Sequence, residues 1–313
     1  SKPLTNKAIQ GEYPPGSTYK IITALAGLQE GVITPNSTHF CMGEMRFGRR
    51  NFRCWKRGGH GQMNVKQAIT QSCDVFFYQT GLKLGVDRLA WYAKAFGLGA
   101  PTGIGLDHER GGLIPTADWK KKRKGVSWQS GETLSIAIGQ GFNLVTPLQL
   151  AMMISSVANG GKLFKPTLVL PDDDGSGNAG EHASKVLVGR IPVSQAHLDV
   201  VREGLWEVVN GARGTARSIR VEGIDISGKT GTSQVFTRRS ENAHKEEDMA
   251  DHLRSHAWFV AYAPSENPII AVSVLVEHGA HGSTAAAPIA QQVITTYLSG
   301  MTNQVVQETP SQG

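Results

Sequence analysis

Cysteine is scarce in this sequence, with three in 313 residues. That excludes a disulfide-dense scaffold, and an odd count leaves at least one thiol outside any pairing. No apolar run is long enough to span a bilayer, and no signal peptide is recognisable. There is no internal repeat, and no basic-aromatic module of the kind that reads nucleic acid. Disorder is excluded too, since charged residues make up 19% of the chain and apolar ones 40%. What is present is enough chain for one large domain or two ordinary ones. The net charge of +6 and pI of about 9.2 suit an anionic polymer or a membrane surface as partner. The chain opens abruptly at Ser1-Lys2-Pro3, shortly before its main motif. This predicts a domain excised from a longer protein, with any anchor outside it.

The rest is organised around Gly11-Glu12-Tyr13-Pro14-Pro15-Gly16-Ser17-Thr18-Tyr19-Lys20. The prolines and Gly16 stop any regular element from running through it. Ile21, Ile22, Ala24, Leu25, Ala26 and Leu28 follow with the spacing of a buried helix, and Gly31 is its stop. Ser17 then lies at or near the helix N-terminus with Lys20 three residues on. Positions i and i+3 share a helix face, so hydroxyl and amine come within reach. A serine needs a neighbouring base to become a nucleophile, and a lysine serves when burial or a second cation lowers its pKa. Alone, S-x-x-K is equally well an N-cap followed by a solvated lysine.

Further along, residues 32–62 read as a Cys- and Arg-rich loop. Helices are predicted over 65–72, 75–85 and 86–97. The segment 98–131 reads as loop. Its basic run Trp119-Lys120-Lys121-Lys122-Arg123-Lys124 is either a solvated face or a contact for an anionic substrate or lipid. Helices follow at 146–159, with Pro147 near the start and Gly160 at the end, and at 193–210. Residues 171–182 and 237–252 read as flexible inserts. Strands are predicted at 219–221 and 224–228, and a hairpin at 256–262 and 269–276 turns at Pro264-Ser265-Glu266-Asn267. A helix over 285–298 and a polar tail at 300–313 close the chain. The pattern predicts an α+β arrangement.

Two more short motifs join the first. Ser72-Cys73-Asp74 lies between two helices, where a tight turn can offer a hydroxyl and a carboxylate to a cleft. Lys229-Thr230-Gly231-Thr232 follows a strand-like run, with Gly231 permitting close backbone approach. In the order S-x-x-K, S-x-[ND], K-T-G-T, the three match the set known from penicillin-binding proteins and serine β-lactamases. The chain thus resembles the penicillin-binding transpeptidase family from Leu4 to about Leu298. It is most similar to the class B elongation type (the penicillin-binding protein 2 type). The residues that carry this are Lys2 to Gly11, Tyr13-Pro14-Pro15-Gly16-Ser17, Trp55-Lys56 with Gly59-His60-Gly61, Gly139-Gln140-Gly141 before Thr146-Pro147, and Lys229 to Gln234. Asp74 stands where the wider family has asparagine; the elongation-type enzymes are similar in carrying aspartate.

The resemblance implies an antiparallel sheet flanked by helices, an all-helical subdomain, and an active site in the cleft between them, all as one domain. It implies that Ser17 attacks the carbonyl between two D-alanines of a peptidoglycan stem peptide and that Lys20 takes its proton. Ser72 would relay a proton to the leaving amine, Asp74 would hold the network, and Lys229 would lend a fixed positive charge. The backbone N–H groups of Ser17 and Thr232 would form the oxyanion hole, with Thr230, Gly231 and Thr232 binding the substrate carboxylate. An amine of a second stem peptide then accepts the acyl group, and a β-lactam is trapped at the same serine. No cofactor is needed for catalysis. The implied partners are a SEDS-family glycosyltransferase and elongation scaffold proteins, with the parent protein anchored in the inner membrane and its domain in the periplasm. Rival activities with the same motifs are a serine β-lactamase, a D,D-carboxypeptidase and a non-enzymatic β-lactam sensor. No glutamate is placed convincingly as a deacylation base for the first.

Cys41, Cys54, His60 and Cys73 form C-x12-C-x5-H-x12-C. One reading is a Cys41–Cys54 disulfide with Cys73 buried; others are unlinked thiols or a closed Cys₃His zinc set. Some elongation-type relatives are similar in carrying a metal site in this loop, with Asp, His and Cys ligands, and Cys54 and His60 fall on the matching segment. The expectation from the spacing and the resemblance together is a structural zinc on Cys41, Cys54, His60 and Cys73, stapling the 41–60 loop to the Ser72-Cys73-Asp74 turn. His256 reads as structural, and Trp128 and Phe142 either line the cleft or pack.

Overall fold

One nearly unbroken apolar segment forms the post around which the helical part packs. The computed structural model describes residues 4–168, 185–234 and 254–307. A single turn, α1 (Lys7–Gln10), leads to a 3₁₀ turn over Gly16–Tyr19 that runs straight into α2 (Lys20–Gln29). Every residue from Lys20 to Leu28 is buried, as expected for a helix apolar on all sides. Gly31 ends it at a φ of 66°.

Residues 32–62 are not a plain loop. They hold two small antiparallel ladders, β1 (His39–Cys41) with β4 (Gly61–Met63) and β2 (Glu44–Phe47) with β3 (Arg50–Arg53). Strands of three or four residues are too short for their alternation to register in the sequence. The helices expected next are present as α3 (Val65–Thr70), α4 (Asp74–Leu84) and α5 (Val86–Ala95). Asn64 and Gln67 form a capping box at the start of α3.

The segment 98–131 is also more ordered than expected, since it contains α6 (Ala117–Lys124) and the start of α7 (Ser130–Ala137). The basic run is therefore helical. Thr116 caps it, Gly125 closes it in the left-handed region, and its cations sit in the last turn, where the helix dipole favours them. No apolar period marks it in the sequence, since its ends are set by caps. Helix α8 (Pro147–Ala158) starts with a Thr146–Gln149 capping box and Pro147 in its first turn. A short ladder of β5 (Lys162–Phe164) with β6 (Leu187–Arg190) and helix α9 (Gln195–Asn210) follow.

The strands expected at 219–221 and 224–228 fall elsewhere. Arg217–Ile219 is a 3₁₀ turn, and Val221 and Ile224 share one isolated bridge. The strand is β7 (Ser227–Ser233), whose Ser-Gly-Lys-Thr-Gly-Thr-Ser has no apolar period and is held by its neighbour. That neighbour is β8 (His256–Ala263), buried from Ala257 to Ala263, and it pairs in turn with β9 (Ile270–Val276). The antiparallel order is β7-β8-β9. Helix α10 (Ala287–Gln307) runs past the expected end, so residues 300–307 of the anticipated tail are helical. The inserts 171–182 and 237–252 and the tip 308–313 lie outside the described residues.

Helices α8, α9 and α10 pack on this sheet, while α2, α4, α5 and α7 pack together beside it. The fold is the expected α+β one, except that the second part is not all-helical, because β1 to β3 attach to α4. Helices α4 and α7 meet so closely that a Cβ on Gly81 would stand 2.3 Å from that of Ala137. Gly81→Ala should therefore destabilise the protein by about 1–3 kcal/mol despite alanine's better helix propensity. Adding Ala137→Gly should recover most of that loss in urea unfolding. If the double variant is no more stable than the single one, this contact does not set the packing.

Candidate active site

Ser17 sits half-buried in the 3₁₀ turn before α2. Gly16 makes the approach possible. Its φ is 55°, and a Cβ there would stand 2.5 Å from the Thr232 carbonyl oxygen. The Gly16 N–H donates to the Gly139 carbonyl at 2.9 Å, and the Trp258 indole N–H donates to the Pro14 carbonyl at 3.0 Å. The segment bearing Ser17 is thus wedged between β7 and the Gly139-Gln140-Gly141 turn.

Lys20 is completely buried. Its ammonium donates to Asp74 Oδ1 at 2.7 Å, to the Ser72 carbonyl at 2.9 Å and to Ser72 Oγ at 3.1 Å. These three acceptors use the three N–H bonds of an ammonium. Among the described residues, the Ser17 hydroxyl makes no hydrogen bond, so in this resting arrangement the amine is turned to Ser72 and Asp74. Ser72 has a φ of 54°, a left-handed conformation that costs a non-glycine residue on the order of 1 kcal/mol. It aims the hydroxyl and the carbonyl of Ser72 together at Lys20. Asp74 opens α4 and takes the Trp55 N–H on Oδ2 at 2.9 Å. Burial pushes its carboxyl above the usual range, and the Lys20 ammonium pulls it back.

Across the cleft, β7 supplies Lys229, Thr230, Gly231 and Thr232. The sequence suggests a fixed positive charge on Lys229, but the structure buries this side chain completely. Burial, with Lys20 nearby, drives its amine well below the ordinary 10.5. Its Nζ donates to the Thr230 carbonyl at 3.2 Å. What approaches Gly231 closely here is the chain itself, for a Cβ would meet Trp258, Thr18 and Pro15 within 3.2 Å. Thr232 N lies 3.2 Å from the same Cβ position on Gly16, so the Thr232 peptide sits against the residue just before Ser17.

Two supporting residues have no role assigned to them by the sequence. Thr215 Oγ1 lies 2.9 Å from Thr230 Oγ1, and the Gln140 side-chain amide donates to the Thr232 carbonyl at 3.0 Å. Thr215 belongs to no motif. Gln140 lies in a glycine-flanked triplet, whose spacing marks a turn and not a contact. Phe142 packs against both Trp119 and Trp128, and the Trp128 indole N–H donates to Thr133 Oγ1. His256 is structural as expected, its Nδ1 accepting the His278 N–H at 3.0 Å.

Cys41, Cys54, His60 and Cys73 converge, with all four candidate ligand atoms within 4.8 Å of one another. The three thiols are free and buried, so no Cys41–Cys54 disulfide forms here. His60 Nδ1 lies 3.5 Å from both Cys41 Sγ and Cys54 Sγ. A hydrogen bond from Cys73 holds the Cys54 thiol well below its usual range, with His60 adding to it. Cys54 Sγ also accepts the Asp74 N–H at 3.4 Å. The cluster therefore touches the Ser72-Cys73-Asp74 turn at Asp74 and shares Cys73 with it.

Residues 1–295 match the family model for the penicillin binding protein transpeptidase domain. The chain is 38% identical over 309 residues to the peptidoglycan D,D-transpeptidase MrdA of Haemophilus influenzae, covering 97% of this chain and 47% of that protein. Among solved structures, it is similar to Pseudomonas aeruginosa PBP2 in complex with WCK 5153, at 38% identity and a TM-score of 0.81 over 94% of this chain and 63% of that one. It is also similar to Helicobacter pylori PBP2 in complex with MreC, at 35% identity and a TM-score of 0.83 over 96% and 52%. The chain spans about half the length of the curated relatives it matches.

The buried Lys229 makes stability depend on pH. With its pKa lowered in the fold, the folded state binds fewer protons than the unfolded chain between that lowered value and 10.5. Stability from this group therefore rises with pH across that window. Relative to Lys229→Met, the wild type should gain up to about 1.4 kcal/mol per pH unit there. Urea unfolding of both proteins at stepped pH reads this out. Parallel stability curves would mean that Lys229 stays protonated in the fold.

Proposed function

Because this chain belongs to the penicillin-binding protein transpeptidase domain family, we propose that it is the catalytic domain of a peptidoglycan D,D-transpeptidase of the cell-elongation type. The observation that carries the reading is the Lys20–Ser72–Asp74 network, built one turn from Ser17 and opposite Lys229 to Thr232. Ser17 Oγ attacks the carbonyl carbon between two D-alanines of a stem peptide. Lys20, once neutral, takes the hydroxyl proton, a step worth on the order of 10²–10⁴ in rate. Its hydrogen bond to Ser72 Oγ offers that proton a route to the leaving D-alanine amine. The Ser17 and Thr232 N–H groups face the developing oxyanion, and losing one such donor costs roughly 3–4 kcal/mol. Thr230 and Thr232 bind the terminal carboxylate with Thr215 behind them, and the incoming anion favours protonation of Lys229. An amine of a second stem peptide then displaces Ser17 and forms the cross-link. A β-lactam acylates the same oxygen.

Four converging donors support a structural zinc. A tetrahedral Cys₃His site with metal–sulfur bonds of about 2.3 Å needs its sulfurs roughly 3.8 Å apart, and the side chains here are already gathered on that scale. With four protein ligands no position is left for a reacting water, so the metal would only pin the β1–β4 segment to Ser72 and Asp74. We further assign the parent protein to the inner membrane with this domain in the periplasm. Its partners would be a SEDS-family glycosyltransferase and the elongation scaffold, the latter supported by the MreC complex of a relative. No helix of the described residues is long and apolar enough to cross a membrane.

Intact mass after incubation with a penicillin should show one stable adduct on the wild type and none on Ser17→Ala. Rapid penicillin hydrolysis without an adduct would replace this reading with a β-lactamase. An adduct without transfer from a donor peptide to an added amine would replace it with a sensor. Elemental analysis should find about one zinc per chain. Cys54→Ser or His60→Ala should lose it and lower the unfolding midpoint by roughly 5–10 °C. Trace zinc in the wild type would refute the metal assignment.

A further inference from the structure

Tyr13 stands four residues before Ser17 and takes no part in the chemistry assigned above, yet its side chain is held at both ends. The stretch from Tyr13 to Gly16 is tied to the 139–145 segment through its backbone. Tyr13 and Val145 exchange N–H to carbonyl bonds at 2.9 Å each, and the Gly16 N–H reaches the Gly139 carbonyl. To the sheet it is tied by side chains. The Trp258 indole N–H donates to the Pro14 carbonyl at 3.0 Å. The Tyr13 hydroxyl donates to Glu277 Oε1 at 2.7 Å, and the Lys7 ammonium of α1 donates to Oε2 of the same carboxylate. Between these ends the Tyr13 ring makes T-shaped contacts with His256 and Trp258 of β8, at centroid distances of 5.3 and 6.1 Å. Gly11 leaves room for the ring, because a Cβ there would collide with Tyr13 Cε2.

The strand register shows what this contact can set. Across the sheet Thr232 pairs with Ala257, and Ala257 pairs with Val276. Glu277 follows Val276 directly, so its carboxylate is anchored beside the cross-strand row that holds Thr232. A bond from Tyr13 to Glu277 therefore references the Ser17 segment to the Thr232 end of β7. Stability is a poor explanation for it. The Lys7 and Glu277 side chains are 40% and 35% exposed, and an ion pair in that much solvent adds little to folding.

We propose that Tyr13 and Glu277 are positioning residues for Ser17, setting together where its hydroxyl stands relative to Thr232. This rests on the reading of Ser17 as the acylated nucleophile. Lys7 orients the carboxylate, the carboxylate fixes the tyrosine hydroxyl, and the ring braced on β8 carries that position to Pro14 and on to Ser17. Misplacing a reacting group by about 1 Å costs on the order of 10²-fold in rate. Loosening one of several ties should cost less, about tenfold.

Stopped-flow acylation of the 313-residue protein by a chromogenic cephalosporin separates the rate at saturation from the affinity of the complex that precedes the covalent bond. Tyr13→Phe and Glu277→Ala should each lower the saturating rate about tenfold and change that affinity less than twofold. The double variant should be no slower than either single one, since all three lack the same bond. Glu277→Gln still accepts from the tyrosine and should recover most of the rate. Intact mass should still show one adduct per chain, with unfolding midpoints within a few degrees of wild type. Wild-type rates in both single variants, with the adduct still abolished by Ser17→Ala, would overturn the inference and leave the nucleophile reading standing. No adduct on the wild-type protein would remove both. The inference would also fail if the two losses multiply in the double variant, if Glu277→Gln is as slow as Glu277→Ala, or if the adduct count and the midpoint fall together, which would leave the pair a purely structural role.

Discussion

The structure turns on one buried ion pair. At 2.7 Å and an effective dielectric of about 20, Lys20 and Asp74 attract by roughly 6 kcal/mol. Taking two ions out of water costs several kcal/mol each. The two effects nearly cancel, so the pair adds little to stability as a pair. What it fixes is position. Lys20 is the first residue of α2, three residues from Ser17. Asp74 is the first residue of α4, and Ser72 is two residues before it. Joining these helix starts brings the segment that bears Ser17 to the hydroxyl and carboxylate of another. The surroundings are arranged for that purpose: α2 is apolar all round, and the Trp55 N–H holds the second carboxylate oxygen.

The opposite wall is assembled by backbone approach. Gly16, Gly139 and Gly231 each lack a Cβ where one would collide with the neighbouring chain. Ser17 is therefore positioned by peptide groups, which do not rotate as side chains do. Thr232 is held from two directions, by the Gly16 contact and by the Gln140 amide. Peptide groups held in this way would undergo little reorganisation if charge developed beside them, and electrostatic preorganisation depends on that property. Lys229 complements it. Completely buried and near Lys20, it disfavours its own charge.

Much of this was legible in the sequence where chemistry depends on local order. The S-x-x-K spacing, the Ser-Cys-Asp turn and the Lys-Thr-Gly-Thr run each kept their residues together in the structure. Long helices with clear periods, such as α8 and α9, were legible for the same reason. The misreadings fell where tertiary pairing overrides local pattern. Strand β7 has no apolar side chain and exists because β8, buried from Ala257 to Ala263, lies beside it, whereas the apolar residues just upstream carry the local strand pattern without a partner strand. Helix α6 consists mainly of cations and owes its ends to Thr116 and Gly125. Thr215 lies 15 residues from Thr230 in a turn without a motif, and only the fold could bring the two hydroxyls together.

The cysteine cluster bears on the same constraint as the ion pair. Cys73 stands between Ser72 and Asp74, and Cys54 accepts the Asp74 N–H. The left-handed φ of Ser72 is unfavourable in isolation, so something must over-determine that turn. Lys20 grips it from one side through three hydrogen bonds. From the other, Cys54 and the Trp55 N–H grip Asp74, while the Trp55 indole grips the Gln71 carbonyl at 3.0 Å. The second grip comes from a segment whose strands are only three or four residues long, and such ladders hold little by themselves. Two thiols and an imidazole of that segment meet the Cys73 thiol of the turn, and among the described residues this cluster has the binding chemistry to tie the two together. This is the physical reason to place a structural ion there, away from the reacting atoms.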